Sequence, residues 1–141
     1  MMKYSGSHKT AQQWIEDGIG YYKNRRYNEA LWAFEHAIQI DPASVKALHG
    51  RGIIFARMGQ YQKAIESYER ASEIAPKIAQ IYADMAEVFY KLKDYEKSGS
   101  CYRKAIAIDR MYEPRYQKKI RTLFYNGIHL RSQGLQDEAI R

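Results

Sequence analysis

Apolar and small residues recur at helical spacing through most of the chain. Leu48, Gly52 and Phe55 fall three and four positions apart, and after a short polar break a new run of the same spacing begins at Tyr61. Residues three and four apart share one face of an α-helix. No stretch shows the sustained alternation of apolar and polar residues that is typical of a β-strand. The pattern therefore predicts an all-α protein whose helices are roughly 14 residues long.

A second, longer period relates successive pairs of helices. This 34-residue period superimposes small residues on small residues and aromatic residues on aromatic residues; examples are Gly18, Gly52 and Ala86, Tyr21, Phe55 and Phe89, and Phe34, Tyr68 and Tyr102. A fixed period of this length indicates a stacked array in which each unit buries its apolar face against its neighbours. The predicted organisation is an N-terminal extension at 1–10, units at 11–44, 45–78 and 79–112, and a final segment at 113–141.

The final segment departs from the 34-residue period in its small residues. Ile120 stands where a small residue is expected, whereas a frame that starts at Ile120 restores small residues at Gly127 and Ala139. That frame needs seven extra residues, 113–119, which is close to two helical turns. We therefore predict a long first helix of about 20 residues here, followed by an incomplete fourth unit or a cap.

An incomplete last unit would leave apolar side chains without a covering helix. Terminal repeats normally present a polar outer face. The apolar side chains expected to be partly uncovered are Leu123, Phe124, Ile128 and Leu130. Self-association through the C-terminal helix is the hypothesis that follows.

The aligned residues resemble those of the tetratricopeptide repeat family, whose pattern combines small, aromatic and proline positions within a repeat of the same length. The first unit supplies Trp14, Gly18, Tyr21, Ala30, Phe34, Ala37 and Pro42, the second Leu48, Gly52, Phe55, Ala64, Tyr68, Ala71 and Pro76, and the third Tyr82, Ala86, Phe89, Ser98, Tyr102 and Ala105 without the proline. The resemblance implies an α-α superhelix, a right-handed solenoid of antiparallel helix pairs, with three full units and an incomplete fourth.

The resemblance also implies a binding function. Members of the family mostly hold extended peptides or partner helices in a concave groove that is lined by the first helix of each unit. The positions that correspond to this groove are Gln12, Ile15, Glu16, Ile19 and Tyr22, then Lys46, His49, Gly50, Ile53 and Ala56, and then Gln80, Ala83, Asp84, Glu87 and Tyr90. This predicted wall is apolar at its beginning and acidic near its end.

One subfamily binds the C-terminal carboxylates of heat-shock chaperones through a clamp of lysine, asparagine and arginine. The corresponding positions here are Ile15, Ile19, Gly50, Gln80 and Asp84, or, one unit further along, His49, Ile53, Asp84, Arg121 and Tyr125. A carboxylate needs charge-assisted donors to offset its desolvation, and neither set supplies enough of them. We therefore expect this chain to lack a chaperone-tail clamp.

Basic residues exceed acidic ones, and the formal net charge is +7. Such a balance favours acidic partners in general. The most unusual basic group is the cluster of Arg115, Lys118, Lys119 and Arg121. It is interpreted either as a solvated helix face or as a contact for acidic protein, RNA or lipid headgroups.

The sequence offers no set of residues for catalysis or metal binding. Four histidines and the single cysteine, Cys101, do not fall at ligand spacing, and no glycine-rich phosphate loop is found. We expect a protein that is not an enzyme and has no metal or cofactor. The lone cysteine and the absence of a long apolar run favour a cytoplasmic protein, or the cytoplasmic part of a larger one, without a membrane span.

Three functions are compatible with these observations. The leading hypothesis is a protein-interaction module or scaffold that binds a partner peptide or helix in the groove. The first alternative is a basic helical repeat that binds nucleic acid. The second is an accessory domain of a larger enzyme or membrane-bound assembly.

Overall fold

A computed structural model describes residues 8–126, and the regular structure in that range is helical. The helices are α1 Ala11–Lys23, α2 Tyr27–Ile40, α3 Val45–Arg57, α4 Tyr61–Ile74, α5 Ala79–Lys91, α6 Tyr95–Ile108 and α7 Glu113–Tyr125, with a 3₁₀ turn at Arg110–Tyr112. The predicted all-α class is confirmed.

The 34-residue period is visible in the turns as well as in the helices. Three residues separate the helices of each pair, and the middle one has a positive φ: 59° at Arg25, 76° at Gly59 and 62° at Lys93. Glycine adopts this left-handed conformation freely, whereas it costs other residues about 1–2 kcal/mol. The turn that reverses the chain is therefore kept at the same offset even where glycine is absent.

The chain divides into two compact units, and unit 1 (Met1–Pro76) contains α1 to α4. The side chain of Phe34 on α2 lies against both α1 and α3. A Cβ atom added to Gly18 would be 2.9 Å from the Phe34 ring, and one added to Gly50 would be 2.5 Å from it. Gly52 has the same relation to Tyr68 on α4, at 2.5 Å. Glycine therefore allows the buried aromatic rings to approach the first helices closely.

Unit 2 (Lys77–Arg141) contains α5, α6 and α7. Tyr102 on α6 is fully buried and stacks on Tyr116 of α7, with 5.0 Å between the ring centroids. The hydroxyl of Ser98, also buried, donates a 2.8 Å hydrogen bond to the carbonyl oxygen of Ala86 on α5. A small residue and an aromatic residue on α6 therefore connect it to the helices on either side.

The predicted long helix in the final segment is wrong for the part that the structure describes. α7 has 13 residues and begins at Glu113, one full period after the start of α5 at Ala79. Its buried residues are Tyr116, Ile120 and Leu123, which stand one period after Tyr82, Ala86 and Phe89. The helices α1, α3, α5 and α7 thus start at intervals of one 34-residue period, and no insertion at 113–119 is needed.

Local chemistry explains where α7 begins and ends. Pro114 lies in its first turn, where the missing N–H has no partner to lose. Asn126 is the C-cap, and its N–H donates to the carbonyl oxygen of Thr122 at 3.1 Å. Ile120 is only 1% exposed, so α7 buries a large residue at the position where the other first helices have a small one.

The predicted uncovered apolar face is only partly described. Leu123 is buried rather than uncovered, whereas Phe124 is 58% exposed. Ile128 and Leu130 lie outside the described residues, as do Gly127 and Ala139, so the incomplete fourth unit and self-association through this end stay predictions.

Candidate functional site

An apolar groove lies in unit 1 between α1 and α3, with a volume of about 370 Å³. We refer to it as the α1–α3 groove. It is lined by eight of the predicted groove residues together with three others: Gln12, Ile15, Ile19, Tyr22, Lys46, His49, Gly50 and Ile53, and then Lys23, Phe34 and Ile54.

The floor of the α1–α3 groove is closed and its mouth is apolar. Ile15, Ile54 and Phe34 are buried, with Ile54 fully inaccessible. Ile19, one helical turn beyond Ile15, leaves 42% of its surface exposed, and Ile53 is half-buried. Burying such side chains against a ligand stabilises the complex by about 25 cal/mol per Å² of apolar surface.

The rim of the groove is polar and carries positive charge. Lys23 and Lys46 are both exposed on it, one from each helix, and Gln12 and His49 add polar groups. None of the described lining residues is an aspartate or a glutamate. A ligand with apolar side chains and acidic or polar flanks matches this distribution.

A second pocket, of about 410 Å³, lies in unit 2 between α5 and α7. We refer to it as the α5–α7 pocket. Its lining residues are Glu87 and Tyr90 from α5, and Arg115, Lys118, Lys119 and Thr122 from α7. The acidic end of the predicted wall and the predicted basic cluster, which are far apart along the chain, therefore meet in this pocket.

Glu87 is the centre of the polar contacts in the α5–α7 pocket. Its carboxylate lies 3.2 Å from the guanidinium of Arg115 and 3.0 Å from the ammonium of Lys119. The hydroxyl of Tyr102 donates a hydrogen bond to the same carboxylate. The ammonium of Lys119 also lies 4.1 Å from the centre of the Tyr90 ring, a cation–π contact.

The pocket holds three cations and a single carboxylate, so it keeps a positive balance. Lys118 is exposed, and within residues 8–126 no carboxylate lies within ion-pair distance of its ammonium. Arg121, the fourth member of the predicted basic cluster, is exposed on α7 but does not line the pocket. The structure therefore brings together three of the four basic residues.

Gln80 and Asp84, which were also predicted to face the groove, interact with each other on α5. The Gln80 amide donates to the Asp84 carboxylate at 2.7 Å and accepts a hydrogen bond from the hydroxyl of Tyr112. Burial raises the pKa of Tyr112 above its ordinary value, and the negative charges of Asp84 and Asp109 raise it further, whereas Arg115 opposes them. Gln80 and Asp84 line neither the α1–α3 groove nor the α5–α7 pocket.

Sequence reasoning missed three contributors to the α1–α3 groove, Lys23, Phe34 and Ile54. Phe34 was interpreted only as a packing residue of α2, although its ring also reaches the groove floor. The glycine at position 50, on the predicted groove face of α3, was the available signal, because a missing side chain allows a neighbouring ring to approach. Lys23 lies in the last turn of α1, where a cation is also favoured by the helix dipole.

Among the described residues, no group of three histidine, cysteine, aspartate or glutamate side chains is placed to hold a metal ion. Cys101 is buried. In the same part of the chain, no helix combines the length and the apolar character that crossing a membrane requires.

Comparisons with known proteins agree with the helix pairs and their period. Tetratricopeptide repeat families match residues 18–88 and residues 55–122. The chain belongs to the tetratricopeptide repeat family, whose domains are generally protein-interaction modules without catalytic activity. No curated protein sequence matches it significantly.

Solved structures show the same all-α helical-repeat fold at low sequence identity. The Arabidopsis OM64 TPR domain is 21% identical with a TM-score of 0.72, over 78% of this chain and 96% of that one. The first TPR of Spaghetti (RPAP3), bound to the HSP90 peptide SRMEEVD, is 17% identical with a TM-score of 0.76, over 82% and 94%. The MamA protein is 20% identical with a TM-score of 0.76, over 92% and 67%.

Proposed function

We propose that this chain is a non-enzymatic interaction module that binds an extended segment or a helix of a partner protein in the α1–α3 groove. The observation that supports the proposal is the apolar mouth of this groove, where Ile19 keeps 42% of its surface exposed above a buried floor. An exposed apolar concavity with polar edges is the usual form of a ligand site.

The lining residues also favour one kind of ligand. An apolar side chain of the partner would rest on Ile19 and Ile53, and full burial of a side chain of this size contributes about 1.5–3 kcal/mol. Lys23 and Lys46 on the rim favour acidic residues next to that apolar anchor, because opposite charges assist association.

The groove differs from the clamp that holds chaperone tails. Ile15, Ile19 and Gly50 occupy clamp positions and supply no side-chain hydrogen bond donor. The second set of clamp positions, one repeat further along, changes because α7 is in register with the earlier first helices. Its last two positions are Pro114 and Lys118 rather than Arg121 and Tyr125, so Lys118 is the only permanent cation in that set. The HSP90 peptide bound by RPAP3 is therefore not the ligand we propose here.

A peptide-display selection tests this proposal. A library of random peptides is selected on the wild-type chain, and the enriched peptides are then measured against Ile19→Glu and Ile53→Glu. We expect an apolar anchor in the selected peptides and at least tenfold weaker binding to both variants, because a carboxylate in the groove would be desolvated by the ligand.

Ile40→Glu is the matched control, since Ile40 is in the same unit, is 52% exposed and does not line the groove. Its affinity for the selected peptides should equal that of the wild type. Peptides that bind all four proteins equally would argue against the groove as their site.

Nucleic-acid binding is the second candidate function, and the three cations of the α5–α7 pocket are the observation that favours it. Affinity that falls steeply with salt would support it, because bound phosphates release counterions. A lack of retention on RNA and DNA at low salt would eliminate it. The cytoplasmic location and the role as a scaffold or accessory domain stay predictions.

A further inference from the structure

We propose that the α5–α7 pocket binds an acidic segment of a partner protein and that Glu87 acts as an internal competitor for that ligand. This inference concerns unit 2 and does not depend on a ligand in the α1–α3 groove.

The pocket already shows which chemical group it accepts. The Glu87 carboxylate forms ion pairs with the guanidinium of Arg115 and the ammonium of Lys119, and it accepts a hydrogen bond from the hydroxyl of Tyr102. Charge-assisted donors arranged around one carboxylate can also receive another carboxylate in its place. Because the side chain of Glu87 is 26% exposed, this exchange can take place at the surface of the pocket.

Lys118 is the reason to expect an additional anion rather than a closed internal network. It lines the same pocket, and its ammonium has no carboxylate within ion-pair distance among residues 8–126. Three cations against one carboxylate leave a formal excess of two positive charges in a volume of about 410 Å³. An incoming acidic side chain would meet Lys118 first and then share Arg115 and Lys119 with Glu87.

An acidic peptide fits the pocket better than a nucleic acid does. The cations converge on one concave site instead of forming a stripe that could follow successive phosphates. A single carboxylate, in contrast, reproduces the interaction that Glu87 already makes.

The test measures binding of fluorescein-labelled hexaglutamate to the full chain by fluorescence anisotropy. The key variant is Glu87→Gln, which removes the competing charge while its amide oxygen still accepts the hydrogen bond of Tyr102. We expect hexaglutamate to bind about two- to fivefold more tightly, the range that corresponds to an exposed ion pair. Glu96→Gln, at an exposed position on α6, is the control for the change in net charge.

A second pair of variants keeps the test decisive if Glu87→Gln destabilises unit 2. Lys118→Gln and Arg121→Gln each remove one positive charge from α7, but only Lys118 lines the pocket. Lys118→Gln should weaken hexaglutamate binding about two- to fivefold, and more than Arg121→Gln does.

Three results would overturn the proposal. They are no binding of hexaglutamate to the wild type at low salt, no tighter binding by Glu87→Gln than by Glu96→Gln, and an equal loss in the two α7 variants. Tighter binding of a short oligouridylate than of hexaglutamate, with the same dependence on Lys118, would instead assign the pocket to phosphate. Because the groove variants lie in unit 1, their failure and the failure of this proposal are separate results.

Discussion

Replacing Gly50 by alanine tests the close approach that shapes the α1–α3 groove. The added Cβ atom would lie 2.5 and 2.6 Å from two carbons of the Phe34 ring, whereas ordinary contacts are 3.4–4 Å. The ring would have to move by about 1 Å. Phe34 is 3% exposed, and its ring also lies close to Gly18, where an added Cβ would be 2.9 Å away.

The expected magnitude follows from two opposing effects. Alanine in a helix is about 1 kcal/mol more favourable than glycine. Overpacking against a ring that cannot move freely costs about 1–3 kcal/mol. The net result for Gly50→Ala is a loss of about 0–2 kcal/mol in the free energy of unfolding.

Gly20→Ala is the matched control, because Gly20 lies in α1 and an added Cβ would meet nothing within 4 Å. It should gain about 0.5–1 kcal/mol from helix propensity alone. The difference between the two variants, about 1–3 kcal/mol, therefore isolates the packing effect.

Urea denaturation followed by tryptophan fluorescence measures this difference directly. The chain has two tryptophans, Trp14 and Trp32, and both lie in unit 1. With a slope of about 2 kcal/mol per molar urea, a difference of about 2 kcal/mol separates the two midpoints by about 1 M. Coincident unfolding curves for Gly50→Ala and Gly20→Ala would refute the wedged position of Phe34.

Two further predictions concern a helix cap and a titrating group. Thr10→Ala should lower the stability of unit 1 by about 1 kcal/mol, because Thr10 Oγ1 accepts from the Gln13 N–H at 3.1 Å and the Gln13 side chain accepts from the Thr10 N–H. Urea unfolding measures this loss, and Thr10→Ser should restore the stability. Unchanged stability of Thr10→Ala would contradict the role of this cap. Because the pKa of Tyr112 is raised, the folded state binds the phenol proton more tightly than the unfolded chain does. The resulting contribution to folding stability is present below the ordinary pKa of 10.0 and is lost as the pH rises through the raised pKa of the folded state. Tyr112→Phe should therefore flatten the decline in stability above pH 10, measured by circular dichroism, and an identical decline in both proteins would contradict the effect.

The fold could be predicted from the sequence because its determinants are local and repeated. Helical spacing, the 34-residue period and the prolines at 42 and 76 predicted helix pairs that the structure contains. The register of the last helix was missed because the small residues were given more weight than the period. Gly127 stands one period after Lys93 and two periods after Gly59, which have positive φ, and it was the signal for an unbroken register.

The sequence by itself determined which residues of α1 and α3 share the groove face, because a helix of fixed pitch places equal offsets on equal faces. Only the tertiary structure decided that Phe34 from α2 closes the floor of that groove. It also decided that Glu87 pairs with Arg115 and Lys119, residues 28 and 32 positions further along the chain. Periodicity specifies the direction in which a side chain leaves its own helix, whereas an ion pair or a ring contact depends on the distance between two packed helices, and that distance is set by the side chains between them.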